Sequence, residues 1–195
     1  MKKERKSLAI RIDEGSSALL IIDVQDKLIK GINNKEIILY NIKKLIDTSN
    51  ILKIHNFFTE QYPLKLGTTV QSITKDNQKK IFSKLSFSCL GCNELLNTIQ
   101  KSKVKNLILC GIETHVCVLQ TSLDLIDKGF NVFISLDATG TRKSIDHEVA
   151  IRRLELNGAI VSTTESIIFE LCKTADREEF KSISEIIKRP VPRVS

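Results

Sequence analysis

The sequence predicts an α/β protein with a doubly wound, mostly parallel six-stranded sheet and helices on both faces. Short, continuously apolar runs bounded by turn residues are typical of buried parallel strands. Stretches with apolar residues at helical spacing lie between these runs. Because the two patterns alternate along the chain, we expect right-handed βαβ units. The 195 residues, 42% of them hydrophobic, contain no Pro-rich or Gly-rich linker, which favours a single domain over residues 1–195.

The strands are predicted from their apolar runs, of which 19–23 and 106–110 are the most continuous. In chain order they cover residues 19–23, 56–59, 80–83, 106–110, 132–136 and 159–162. Residues 7–12 alternate apolar and polar side chains with period two, so we expect an extended edge segment there. The stretch from Gln61 to Lys80 contains Pro63, Gly67 and many polar residues, which predicts a long loop over a crevice.

Helices are predicted where apolar residues recur at three-residue and four-residue intervals, as in the run that ends at Gly129. These patterns cover residues 36–54, 93–101, 117–128, 147–156, 166–173 and 178–187. The last two are rich in apolar positions, more than two short helices need to cover one sheet face. This excess predicts contact with a second copy of the chain, through Ile167, Ile168, Phe169, Leu171, Phe180, Ile183, Ile186 and Ile187.

The net charge of +7 is concentrated at the two ends of the chain. Residues 1–6 and residues 188–195 each carry a net charge of +3, so they are predicted to be flexible, solvated basic tails. A nucleic-acid surface needs basic residues clustered on a folded face, often with aromatic residues, and aromatic residues make up only 5% here. We therefore expect no nucleic-acid partner.

Cysteine usage and the absence of long apolar stretches indicate the compartment. Five cysteines without framework spacing are typical of a reducing environment. Cys89 and Cys92 form a CxxC, but no second pair accompanies it and the three histidines are scattered, so structural zinc is not expected. No apolar segment follows the basic start and none reaches the length of a membrane span. The prediction is a cytoplasmic protein without membrane contact, with an organelle address left open.

Three side chains with complementary chemistry lie at predicted strand ends. Asp23 ends the first apolar run, Lys84 follows the third strand, and Cys117 begins the helix after the fourth. Ligands of open α/β sheets bind beyond the carboxyl ends of the strands, so the three can share one crevice. A helix N-terminus favours a thiolate. Asp23 could then act as general base, Lys84 as a charge partner, and Cys117 as a nucleophile on a carbonyl carbon.

Each of these residues also has a plainer interpretation. Cys117 is compatible with a small buried core residue. Asp23 is compatible with a helix cap, and Lys84 with a solvated surface charge. His115 and Glu113 flank the cysteine, but residues two apart do not share a helix face, so His115 is expected to pack or to meet a neighbouring subunit.

The motifs around these residues resemble the isochorismatase-like cysteine hydrolases. They are Ala-Leu-Leu-Ile-Ile-Asp-Val-Gln at 18–25, Phe-Ser-Lys-Leu-Ser-Phe-Ser-Cys at 82–89, Cys-Gly-Ile-Glu-Thr-His-Val-Cys-Val-Leu-Gln-Thr at 110–121, and Thr-Thr-Glu-Ser-Ile-Ile-Phe-Glu-Leu at 163–171. The resemblance extends from about residue 8 to residue 188 and keeps the family's motif order. It implies a catalytic triad of Asp23, Lys84 and Cys117. It also implies a cis peptide at Ile112-Glu113, with the backbone N–H groups of Glu113 and Cys117 as oxyanion donors.

Departures from the family pattern narrow the expected activity. Metal-binding nicotinamidases carry an Asp and a His, two residues apart, at the places that Gln61 and Pro63 occupy here. Proline cannot ligate a metal and an amide oxygen is a weak ligand, so we expect neither metal nor other cofactor. The prediction is a hydrolase that cleaves a small amide-like or related acyl substrate through a cysteine thioester. A non-catalytic scaffold on the same fold and a nicotinamidase-type amidase are the alternatives.

Four residues near the triad are candidate substrate contacts. Gln25 ends the first motif, Gln61 and Tyr62 begin the predicted loop, and Cys89 lies five residues after Lys84. Loops that cover a crevice often carry binding residues. The resemblance also implies a homo-oligomer, a dimer or larger, because members of this family commonly assemble symmetrically.

Overall fold

The computed structural model describes residues 10–74 and 80–192. Within them, six strands form one sheet in the order β3-β2-β1-β4-β5-β6, and every pairing is parallel. The strands are β1 Ser17–Ile22, β2 His55–Gln61, β3 Ile81–Lys84, β4 Asn106–Ile112, β5 Asn131–Gly140 and β6 Ile160–Ser162. The predicted doubly wound, mostly parallel α/β sheet is confirmed.

Helices cover both faces of this sheet. They are α1 Asp26–Ile29, α2 Lys35–Ile51, α3 Pro63–Leu66, α4 Gln71–Thr74, α5 Asn93–Lys101, α6 Leu119–Asp127, α7 Ser144–Leu156, α8 Thr164–Cys172 and α9 Phe180–Ile187. Helices α2, α4, α8 and α9 share one apolar cluster with the sheet, and α5, α6 and α7 share the other. Residues of β1 and β4 are buried throughout, because both strands lie at the centre of the sheet with a helical layer on each side.

Three predicted elements differ from the structure. Strand β5 continues to Gly140, beyond the predicted end at 136. The prediction ended too early because the polar residues Asp137 and Thr139 interrupt the apolar run from which it was made. The helix predicted at 117–128 begins instead with a single π-helical turn, Thr114–Val118, which leads into α6. The predicted loop after Gln61 contains the short helices α3 and α4, and residues 75–79 lie outside the described part.

The predicted edge segment and tails are only partly described. Residues 7–9 of the segment and the tail at 1–6 lie outside the described residues, and residues 10–12 are not in a strand. The predicted flexible tail at 188–195 is wrong at its start. Arg189 Nη1 lies 2.5 Å from Asp47 Oδ2, and the Tyr40 hydroxyl donates to the Arg189 carbonyl at 2.6 Å. Residues 193–195 are again outside the described range.

The apolar residues of α8 and α9 mostly face the chain's own core. Ile167, Ile168, Leu171, Ile183 and Ile186 are buried against the sheet and α2, and Phe169 is 42% exposed. The sequence-based location of an oligomer contact is therefore wrong for most of these positions. No helix in the described part of the chain combines the length and apolarity that a membrane crossing requires.

Candidate active site

The three predicted catalytic side chains meet at the carboxyl edge of the sheet. Asp23 directly follows β1, with φ of 51°, and Lys84 is the last residue of β3. Cys117 lies in the π-helical turn after β4. Because β1 pairs with both β2 and β4, and β2 pairs with β3, the ends of these strands are neighbours along one edge.

Asp23 and Lys84 form a completely buried ion pair. Lys84 Nζ lies 2.6 Å from Asp23 Oδ2, and both side chains are 0% exposed. The other carboxylate oxygen, Oδ1, accepts a hydrogen bond from the Thr59 hydroxyl at 2.8 Å. Such a pair is stable only when its remaining polar atoms are also satisfied, and here both carboxylate oxygens have partners.

Four oxygen acceptors fix the ammonium group of Lys84. Besides Asp23, it donates to Gln61 Oε1 at 3.0 Å, to the Ser86 carbonyl at 3.2 Å and to the Phe87 carbonyl at 3.0 Å. Burial alone would lower the pKa of Lys84, but the negative charge of Asp23 and the neighbouring thiols outweigh it and raise the pKa. Lys84 is therefore a fixed cation at neutral pH.

Cys117 is 5% exposed, and its thiol lies close enough to Asp23 and Lys84 for both charges to act on its pKa. Burial raises the pKa of Cys117, Asp23 raises it further, and Lys84 counteracts both. The expectation that the helix start alone favours a thiolate is wrong, because burial and the carboxylate outweigh it. At neutral pH Cys117 is therefore a neutral thiol close to the carboxylate of Asp23.

Contacts from the β5–α7 connection hold the segment that carries Cys117. The Ile112–Glu113 peptide is cis. The Glu113 carboxylate accepts from the backbone N–H and the Nε of Arg142, each at 3.1 Å. Thr114 Oγ1 lies 3.0 Å from Nδ1 of His147 on α7. The nucleophile turn is thus anchored at two consecutive residues.

Gln25 has a supporting position instead of the substrate contact predicted from the sequence. Its side chain is completely buried, and its Nε2 donates to the carbonyls of Gln61 at 2.9 Å and Gly67 at 2.6 Å. Its Oε1 accepts from the Gln61 N–H at 2.7 Å. With all its polar atoms bound to backbone, Gln25 ties the end of β2 to the segment that follows α3.

Of the other three predicted substrate contacts, Cys89 and Gln61 are buried and only Tyr62 is exposed. Cys89 is 0% exposed, and its Sγ lies 3.7 Å from Thr59 Oγ1, so it packs beneath the triad. Gln61 uses Oε1 on Lys84 and Nε2 on the Leu85 carbonyl, at 2.7 Å. Tyr62 is 41% exposed and its N–H donates to the Lys84 carbonyl at 2.8 Å, so its ring is available at the site's rim.

Sequence reasoning missed the residues that support the triad through the fold. Thr59, Arg142 and His147 contact Asp23, Glu113 and Thr114 respectively. Thr59 and Asp23 are 36 positions apart, so their spacing carried no signal. His115, next to the nucleophile, points away from the triad towards Asp146, with 3.8 Å between Nε2 and Oδ2.

Within the described residues, neither a metal-binding cluster nor the neighbouring cavity coincides with the triad. Among the described residues, no group of three or more His, Cys, Asp or Glu side chains is placed to hold a metal ion. A cavity of about 340 Å³ lies nearby, at the end of β5 between α2 and α7, and His147 and Thr141 are part of its lining. The triad residues do not line this cavity.

The fold and this site define an α/β protein with a buried carboxylate–amine–thiol centre at the carboxyl edge of a parallel sheet. The family model described as the Isochorismatase domain matches residues 17–166, so the chain belongs to the isochorismatase-like hydrolase family. The Dictyostelium discoideum protein named isochorismatase family protein 1B is 39% identical over 180 residues, which cover 89% of this chain and 87% of that protein.

Two solved structures are similar over most of the chain. The MAR1 ribonuclease from Caenorhabditis elegans has a TM-score of 0.88 and 38% identity, and the match covers 94% of this chain and 95% of that one. The YcaC gene product of Escherichia coli, described as an octameric hydrolase of unknown specificity, has a TM-score of 0.87 at 22% identity. That match covers 92% of this chain and 90% of YcaC, and at this identity it shows a common fold.

Proposed function

We propose that this protein is a cysteine hydrolase that cleaves a small amide or related acyl substrate through a thioester on Cys117. One observation carries the proposal: the completely buried ion pair of Asp23 and Lys84 lies next to the Cys117 thiol, whose pKa both charges affect. A base within hydrogen-bonding reach of a nucleophile, itself held by a third group, is the arrangement that nucleophilic catalysis requires.

The first step transfers a proton and forms a bond. As Sγ of Cys117 attacks the acyl carbon, its proton passes to Asp23, and the carbonyl π-electrons move to the carbonyl oxygen. Lys84 remains protonated. Its positive charge stabilises the negative charge that forms on the sulfur of Cys117 and then on the carbonyl oxygen. The intermediate then collapses, the carbon–nitrogen bond breaks, and the amine leaves with the proton that Asp23 carried.

Backbone amides are the proposed donors to the developing oxyanion. The N–H groups in the first turn of a helix have no partner four residues earlier. Glu113 is the N-cap of the π-helical turn Thr114–Val118, and Cys117 lies within this single turn. Each such donor contributes roughly 3 kcal/mol to the transition state in a site that excludes water. The contacts of Glu113 with Arg142 and of Thr114 with His147 keep this turn in place.

The second step hydrolyses the thioester. Water enters after the amine has left, Asp23 takes one of its protons, and the hydroxide adds to the acyl carbon. Collapse of this second intermediate breaks the carbon–sulfur bond, returns the proton to the sulfur and releases the carboxylic acid. These two steps need no metal and no organic cofactor. Tyr62, which is exposed at the rim, is the proposed substrate contact.

Intact-protein mass spectrometry with a panel of small amides and esters tests this proposal. We expect an adduct equal to the acyl group on Cys117, ammonia or amine release, and loss of both in Cys117→Ala. An Asp23→Asn variant is expected to lose the adduct as well, since it lacks the base. Turnover that persists in Cys117→Ala would disprove the cysteine mechanism, and no turnover with any acyl substrate would favour the scaffold.

The description of the Caenorhabditis elegans relative as a ribonuclease gives a second candidate activity. RNA cleavage through the 2′-hydroxyl needs a general base but no acyl transfer to sulfur, so Cys117→Ala would retain it. The same variants should therefore be incubated with a labelled single-stranded RNA. We expect no cleavage, and cleavage by both wild type and Cys117→Ala would replace the hydrolase assignment. Metal dependence in either assay would revive the nicotinamidase-type alternative.

Assembly and location complete the proposal. A homo-oligomer follows from the family resemblance, with a small molecule as substrate and no nucleic-acid or membrane partner. A cytoplasmic location is supported by the five cysteines, all of which are free thiols in the structure. Expression of a fluorescent fusion and fractionation of the cells would test this location.

A further inference from the structure

Helix α7 is apolar on two faces, although only one of them covers the sheet. Ala150 and Leu154 are buried in the inner face, at 2% and 0% exposure. On the outer face Ile145 is 61% exposed, Val149 55% and Leu156 81%. A helix that lies on a sheet normally has a polar outer face. The outer apolar residues of α7 therefore need an explanation beyond the core of a single chain.

The exposed apolar residues of α7 form one continuous stripe. Val149 and Leu156 lie four and eleven positions after Ile145, which places all three on the same side of the helix. Arg152, at seven positions, lies in the same row and is also exposed. The stripe runs along all 13 residues of α7, a length of about 20 Å.

Charged residues along this stripe are unevenly divided between the two halves of the helix. Asp146 and Glu148 lie in the amino-terminal half, and the carboxyl-terminal half carries Arg152, Arg153 and Glu155, so its net charge is positive. Neither arginine has an ion-pair partner within the residues that the structure describes. Both guanidinium groups are therefore free to pair with a carboxylate outside this chain.

We propose that the outer face of α7 is a two-fold interface on which a second copy of this chain packs its own α7 in antiparallel orientation. Antiparallel packing sets the acidic half of one helix against the basic half of the other. Residues near 148 then face residues near 152 and 153 of the partner, and two-fold symmetry forms each pair twice. Parallel packing would instead align like charges, which is unfavourable.

Charge complementarity is the reason for assigning a second copy to this face. A partner that fits this face must place basic residues opposite the amino-terminal half of α7 and acidic residues opposite its carboxyl-terminal half. A second copy of α7 in antiparallel orientation meets this requirement. The inference deepens the proposed homo-oligomer by locating its contact, and it does not depend on the hydrolase reaction, so the two can fail separately.

Analytical ultracentrifugation of the full chain at micromolar concentration tests the interface. For wild type we expect a mass that is an even multiple of the 22.0 kDa chain. The double variant Ile145→Asp, Val149→Asp is expected to have half that mass or less, because charged side chains replace the apolar stripe. Leu64→Asp is the matched control, since Leu64 is 91% exposed on α3, and its mass should equal that of wild type.

A charge-exchange cycle provides a second measurement that does not alter the apolar residues. Glu148→Arg and Arg152→Glu should each raise the dissociation constant about tenfold, because each replaces two attractive pairs by two repulsive ones. The variant with both changes should return towards the wild-type value. A monomeric wild type, an unchanged mass in the apolar variant, or two single changes that add without rescue would each overturn the proposal.

Discussion

Asp23 is the residue on which the other parts of the site depend. One buried carboxylate accepts hydrogen bonds from Lys84 and from Thr59, and its charge raises the pKa of the nearby Cys117 thiol. Removing one partner of a buried ion pair costs about 3–5 kcal/mol, because the other charge stays buried without compensation. The same carboxylate therefore serves both the stability of the sheet edge and the proposed proton transfer.

Thr59→Val tests how much the hydroxyl contributes to holding Asp23. Thr59 is 1% exposed and valine has nearly its shape, so the change removes one hydrogen bond to a charged group with little repacking. We expect a loss of about 2 kcal/mol in the free energy of unfolding, measured by urea titration. Thr59→Ser keeps the hydroxyl and is the control, with a smaller loss expected. Equal losses in both variants would mean that packing of the methyl group, and not the hydrogen bond, matters.

Gln25→Leu distinguishes a supporting residue from a substrate contact. The change leaves the carbonyls of Gln61 and Gly67 and the N–H of Gln61 without their partner, so we expect a loss of about 2–4 kcal/mol in unfolding free energy. Gln71→Leu, at an exposed position in α4, should change it by less than about 0.5 kcal/mol. Wild-type stability in Gln25→Leu would contradict the supporting role.

The sequence was sufficient to predict residues whose position follows from a strand end. Asp23, Lys84 and Cys117 each lie at or just after an apolar run, so parallel pairing was enough to bring them to one edge. Thr59 and His147 were not predictable, because their roles arise from contacts across the sheet and between α7 and the nucleophile turn. The raised pKa of Cys117 also needed the structure, since burial outweighs the effect of the helix start.

At the scale of elements, the site depends on close contact between β1 and β4. Gly111 has φ of 119°, and a Cβ at this position would lie 2.1 Å from the Ile22 carbonyl oxygen. Ile22 directly precedes Asp23, and Gly111 is two residues before Glu113. The absence of a side chain at Gly111 therefore allows the strand that leads to Asp23 and the strand that leads to Cys117 to lie this close together.

Gly111→Ala is expected to lower the free energy of unfolding by about 3–5 kcal/mol, from backbone strain at positive φ together with overpacking. Gly129→Ala is the matched control. Gly129 has φ of 84°, but nothing lies within 4 Å of its added Cβ, so only the strain of about 1 kcal/mol applies. Thermal unfolding followed by circular dichroism compares the two. Similar losses would show that contact with Ile22 is unimportant.

Elements with strong periodicity were predicted well, and irregular ones were not. Helix α5 was predicted at its observed bounds, and the other long helices to within a few residues. The π-helical turn has no periodic signal of its own, since it is one turn that continues directly into α6. In α7 the apolar residues of the outer face alternate along the sequence with those of the inner face. Sequence periodicity alone therefore could not distinguish the core face from a second, exposed apolar face.

At the scale of the whole molecule, the sheet separates two apolar clusters. Four thiols are buried within them, those of Cys89, Cys110, Cys117 and Cys172. Cys110 belongs to the cluster beneath α2, and Cys89 and Cys117 belong to the cluster on the opposite face. Burial raises the pKa of Cys89 to about 12. It also raises the pKa of Cys110 and of Cys117 well above the ordinary value of 9.0.

These shifts predict that stability falls as the pH rises above 9. In the unfolded chain a thiol loses its proton near its ordinary pKa of 9.0, whereas the folded chain keeps it. The unfolded state then binds fewer protons, so the free energy of unfolding decreases with pH. The contribution of each such thiol to the free energy of unfolding is complete below pH 9. Between pH 9 and 10 this contribution falls by about 1 kcal/mol. Lys84 adds no loss in this interval, because its pKa is raised above 10.5.

Cys110→Val isolates one of these thiols, since Cys110 is fully buried in β4 and belongs to the apolar cluster on the face opposite Cys89 and Cys117. Urea titrations at pH 8, 9 and 10 should give a loss between pH 9 and 10 that is smaller in the variant by about 1 kcal/mol. Between pH 8 and 9 the losses of the two proteins should differ by much less, because most thiols of the unfolded chain are still protonated in this interval. If the two losses above pH 9 are equal, the thiol of Cys110 titrates alike in both states, and burial does not protect its proton.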